Sequence, residues 1–81
     1  MNIQSHSNEK TGIVRIIDGI KSDQKARAIK AGLGDLPGVH SVEIIGSAVR
    51  VRFDPAIVTE QQFYQAIKTA GFQASGFQMA A

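Results

Sequence analysis

Eighty-one residues are enough for one small domain and leave little room for a deep catalytic cleft beside its core. A composition with 43% hydrophobic and 20% charged residues is that of a globular chain, and the absence of cysteine excludes both a disulfide and a thiolate metal site. A net charge of +2 is too small to argue for nucleic acid, no apolar run approaches a membrane span, and the first ten residues lack the apolar core of a signal peptide. These features predict a cytoplasmic protein with no membrane insertion.

In chain order, residues 1–11 are polar and aperiodic and are expected to form a flexible tail. Ile13-Val14-Arg15-Ile16-Ile17 is dense in β-branched residues and predicts a central strand. Val14 and Ile16 are expected inward, because the alternative register sends the Arg15 guanidinium into the core unpaired. A helix then starts at Ser22 or Asp23, either of which can cap its first turn. Ala26, Ile29, Leu33 and Leu36 recur at helical spacing as its buried stripe, and Pro37-Gly38 ends it.

Residues 40–45 and 48–53 flank Gly46-Ser47, a pair suited to a two-residue type II′ turn. Folding about that turn pairs Ile44 with Val49 and Val42 with Val51 on one face. Glu43 meets Arg50 on the other, where Arg52 lies beside Ser41, and His40 falls opposite Phe53. Thr59 and Gln62 form a capping box for a second helix, whose stripe is Phe63, Ala66, Ile67 and Ala70 and whose end is Gly71. Residues 72–77 predict a short edge strand. The order strand, helix, strand, strand, helix, strand is that of an α/β ferredoxin-like βαββαβ sandwich: a four-stranded antiparallel sheet with two helices on one face. One domain over residues 12–77 is expected, followed by a C-terminal tail at 78–81.

Four motifs, Gly19-Ile20-Lys21-Ser22-Asp23-Gln24-Lys25, Leu36-Pro37-Gly38-Val39, Val51-Arg52-Phe53-Asp54-Pro55 and Ala66-Ile67 with Ala70-Gly71-Phe72, together resemble the heavy-metal-associated domain family of copper-chaperone-like carriers. Gly19-Ile20-Lys21-Ser22-Asp23-Gln24-Lys25 is similar to that family's Gly-Met-x-Cys-x-x-Cys loop. Leu36-Pro37-Gly38-Val39 matches its turn after the first helix, Val51-Arg52-Phe53-Asp54-Pro55 its third strand, and Ala66-Ile67 with Ala70-Gly71-Phe72 the end of its second helix. Together these motifs span roughly residues 12 to 76. The resemblance implies metal transport or resistance and a Cu(I) site made by two cysteines. Ser22 and Lys25 stand at those two positions. A hydroxyl is a poor ligand for a soft ion, and an ammonium repels one. No metal or other cofactor is therefore expected.

The remaining donors are weak candidates. His6 lies in the tail, His40 on a strand edge remote from the loop, and Met1 and Met79 near the chain ends. Lys21, Lys25, Arg27 and Lys30 read either as an ordinary solvated helix face or as a basic patch for an acidic partner. The resemblance implies that partners dock at this loop and first helix. An anion site at the helix start is opposed by Asp23, which already supplies negative charge there.

An RNA-recognition domain shares the element order, but the first and third strands offer no outward aromatic for base stacking, so nucleic acid is excluded. An acylphosphatase needs a placed asparagine, and Asn2 and Asn8 both lie in the tail. No nucleophile–base pair is legible, so an enzyme is excluded as well. The expectation is a non-enzymatic docking module whose partner is a metal-transporting ATPase, another such domain, or a second copy through an edge strand. The alternative expectation is a carrier of copper or another transition metal that uses non-cysteine or partner-supplied ligands.

Overall fold

The structure is a computed structural model that describes residues 9–80. Six elements follow in chain order: β1 (Lys10–Ile16), α1 (Asp23–Gly34), β2 (Val39–Ile45), β3 (Ala48–Phe53), α2 (Glu60–Thr69) and β4 (Ala74–Met79). The strands form one antiparallel sheet in the order β2-β3-β1-β4, so each βαβ half sends its helix across the same face. This is the expected ferredoxin-like sandwich. Val14 and Ile16 point inward and Arg15 outward, because Val14 and Ile16 can bury against the helices at no electrostatic cost.

Both helices are capped as their sequences require. The Ser22 hydroxyl oxygen accepts from the Lys25 amide at 3.1 Å. At α2 the Gln62 side-chain oxygen accepts from the Thr59 amide at 2.9 Å, and the Thr59 hydroxyl accepts from the Gln62 amide. Ile29 and Leu33 of α1 and Phe63 and Ile67 of α2 are fully buried, with Ala26, Ala66 and Ala70 partly so. Leu36 lies beyond the last residue of α1 but still packs against the core. Its amide donates to the Leu33 carbonyl at 3.2 Å, which extends the last turn.

The hairpin register is as expected at Ile44–Val49, Glu43–Arg50, Val42–Val51 and Ser41–Arg52. Gly46 at φ 60 opens the turn, and Ser47 is not left-handed, which fits type II′. Three boundaries differ from expectation. Val39 rather than His40 lies opposite Phe53, because the register shifts between Val39 and Ser41 and leaves His40 as the extra residue of a bulge. The first strand begins at Lys10, inside the expected tail, because Lys10 and Thr11 complete the ladder with Phe53 and Arg52, and Glu9 pairs with Arg52 at 2.8 Å. The last strand spans 74–79 rather than 72–77, reaching past the expected domain limit. Ala80 continues the contact, its amide donating to the Thr11 carbonyl at 2.8 Å.

One close approach decides a residue type in the core. The Phe77 ring stacks on Phe63 at 5.7 Å, and Phe53 meets Phe63 edge-on at 4.8 Å. Gly12 sits under that cluster: a Cβ there would come within 2.6 Å of Phe77 Cε1 and 3.3 Å of Phe53 Cε1. The strand gives up a side chain so that three aromatic rings can meet over it.

Candidate functional site at the loop between β1 and α1

The segment from Ile17 to Ser22 is held from two sides. The Ile16 amide donates to the Ser47 carbonyl at 2.9 Å, and the Ile17 amide to the Gln73 carbonyl at 2.8 Å. The end of β1 is thus clamped between the β2–β3 turn and the connection from α2 to β4. The chain then reverses through two consecutive left-handed residues, Asp18 at φ 66 and Gly19 at φ 73. Asp18 is of a type that tolerates this region, and Gly19 carries no side chain to oppose it. The Gly19 amide returns to the Ile16 carbonyl at 3.2 Å, and the extended Ser22 launches α1.

Ser22 is therefore committed to the helix. Its hydroxyl oxygen caps the Lys25 amide, and its carbonyl accepts from the Ala26 amide at 3.0 Å. Lys25 extends from the first turn of α1. Together with Lys21 it lines a cleft of about 500 Å³ that Asp18 of the loop and Gly71, Phe72 and Gln73 of the α2–β4 connection also line. The local charge is two ammonium groups against one carboxylate. Arg27 and Lys30 are also exposed but do not line this cleft. Among the described residues, the ion pairs join Arg50 to Glu43 and Arg52 to Glu9, both on the open face of the sheet. None involves the α1 cations.

His40 is exposed at the end of β2 that pairs with Phe53, the end of the sheet opposite the loop. Met79 pairs with Gly12 at that same far end. His6 and Met1 lie outside the described residues. Among the described residues no three His, Asp or Glu side chains gather in a way that could hold a metal ion. Among the described residues no helix is long and apolar enough to cross a membrane. The site residues that sequence reasoning missed are Asp18 and the α2–β4 connection, Gly71 to Gln73. The Asp-Gly pair is a legible turn signal. The connection joins the loop only through the β1–β4 pairing.

The fold is the ferredoxin-like one that solved metallochaperones and copper-binding ATPase domains also have. The CopZ metallochaperone superposes with a TM-score of 0.74 at 23% identity, covering 79% of this chain and 97% of its own. A copper-binding domain from HMA7, a P-type ATPase, gives 0.74 at 23% identity, over 89% of this chain and 95% of its own. Oxidized MerP from Ralstonia metallidurans CH34 gives 0.73 at 22% identity, over 83% and 94%. At these identities the likeness is one of fold. No family model matches the sequence, and no curated protein matches it.

Proposed function

We propose that this chain is a non-enzymatic docking module of the heavy-metal-associated type that works without a thiolate metal site. The observation that carries the reading is the state of the loop. Ser22 uses its oxygen as the helix cap, Lys25 brings an ammonium to the first turn of the same helix, and the chain has no cysteine. A soft cation meets a neutral oxygen and a positive charge there, and neither can replace a thiolate. What the loop and α1 do offer is exposed positive charge, Lys21 and Lys25 at the cleft and Arg27 and Lys30 on other sides of the helix, which suits an acidic protein partner. The solved neighbours include a domain of a P-type ATPase and a metallochaperone. A metal-transporting ATPase or another domain of this fold is accordingly the partner class we favour, in a cytoplasmic setting.

The test is a titration of the protein with Cu(I) against a competing chelator, with Zn(II), Ni(II) and Cu(II) in parallel. A double variant, Ser22→Cys with Lys25→Cys, is titrated beside it. The unaltered protein is expected to leave every ion with the chelator, and the double variant to take up Cu(I). Stoichiometric capture of any of these ions by the unaltered protein would overturn the reading in favour of a carrier with non-cysteine ligands. Mutation of His40 and His6 would then come next.

A further inference from the structure

The two helices leave an open groove between them on the side away from the sheet. Its lining is mostly apolar, and its volume is about 490 Å³. One wall is Ala28 and Gly32 of α1 with Leu36 just beyond that helix, and the other is Gln62, Gln65, Ala66 and Thr69 of α2 with Ala70 at its C-cap. Each helix thus presents a pair of small residues four positions apart, one turn above the other, Ala28 with Gly32 and Ala66 with Ala70. The helices come close at this point, since a Cβ on Gly32 would lie 3.7 Å from the Ala66 carbonyl oxygen.

The groove is not closed at its loop end. Ala70 of the groove is followed by Gly71 of the lysine cleft, and Lys25 precedes Ala28 by one turn on the same side of α1. The cleft that holds Lys21 and Lys25, with Asp18 as the one carboxylate in its lining, therefore adjoins the loop end of the groove. Arg27 and Lys30 fall on other sides of the helix. A mostly apolar groove with two ammonium groups beside one end is complementary to an apolar element with carboxylates at one end. The backbone amides of both walls are spent inside α1 and α2, so an extended peptide would find no ladder to join. A helix arrives with its own amides satisfied, and small residues on both walls let it approach closely.

We infer that the groove between α1 and α2 receives an amphipathic helix of a protein partner, with carboxylates in the turn that meets Lys21 and Lys25. This rests on the docking reading above and names the element that docks. The site differs from the outer face of α1, where Arg27 and Lys30 lie.

The probe is a synthetic amphipathic helix of leucine and alanine, about 14 residues or roughly 21 Å long. Glutamates occupy its first turn, and a matched peptide carries lysines there instead. Each is titrated into the isotope-labelled full chain while backbone amide shifts are followed. The acidic peptide is expected to shift the amides of Ala28, Gly32, Ala66 and Ala70, and the basic peptide to leave them in place. Ala28→Trp, a substitution at an exposed position, should abolish those shifts with the melting temperature unchanged. Lys21→Glu with Lys25→Glu should weaken the acidic peptide about tenfold and admit the basic one.

Equal binding of both peptides, or no shift with either, would overturn the inference. Shifts confined to Arg27 and Lys30 would also overturn it, while leaving the broader docking reading in place. A dimer of the protein alone that perturbs the same groove amides would assign the groove to a second copy and overturn the inference too. Metal capture in the chelator competition is a separate readout that bears on the docking reading alone.

Discussion

A few single residues decide what this molecule can be. Gly12 is one, because its missing side chain leaves the space in which Phe77, Phe63 and Phe53 meet. Gly12→Val is expected to destabilise the protein by about 1–3 kcal/mol, as other overpacked core positions do, and denaturant melts would read the loss directly. A stability change near zero would mean that the Phe77 ring can swing aside. Ser22 and Lys25 decide the chemistry in the same local way. Their identities alone exclude a thiolate site, and residue identity is plain in a linear chain. The role of Ser22 as the helix cap is legible too, since a serine before Asp23 and a helical stripe has few other uses. Asp18 is harder to read. Its left-handed backbone is imposed by the clamps on Ile16 and Ile17, which come from two distant segments.

At the scale of the element, helices and turns are written plainly because their signals are local. The capping box at Thr59 and Gln62, the Gly46-Ser47 turn and the stripe of Ile29 and Leu33 all act within a few residues. Strand ends are less legible. The bulge at His40 and the extension of β1 back to Lys10 arise from partners on another strand, which local composition does not reveal. Helix α2 also carries the chain's one tyrosine, a convenient reporter because there is no tryptophan. Desolvation of the Tyr64 phenol raises it above the ordinary pKa of 10.0, and the neighbouring Glu60 carboxylate raises it further by favouring the protonated form. The folded state thus holds this proton more tightly than the unfolded chain. The resulting stability is fully present below the ordinary phenol pKa and is lost as pH rises through the folded value. An alkaline titration by near-ultraviolet absorbance should place the Tyr64 midpoint above 10.0, and Glu60→Gln should move it downward. A midpoint at the ordinary value in the unaltered protein would show that the Glu60 contact does not persist in solution.

For the molecule as a whole, one core cluster joins both helices to the sheet, from Val14 and Val49 through Ile29 and Leu33 to Phe63 and Ile67. No element has a separate core, so unfolding is expected in a single cooperative step. Ile29→Ala should cost about 2–5 kcal/mol and lower the melting of helix and sheet signals together. A variant that lost helix signal while the sheet persisted would show that α1 unfolds independently. The linear chain suffices to specify the element order, the buried stripes, the hairpin register and the missing thiolates. Each of these depends on residues within about two helical turns, or on mere identity. Which distant segments share a surface is settled by folding. Closure of the fold sets Gly71 to Gln73 against the loop, brings the groove of α1 and α2 beside the lysine cleft, and places His40 at the opposite end. Proximity across a fold follows from how the elements close on one core, and a linear chain states its periodicities but not that closure.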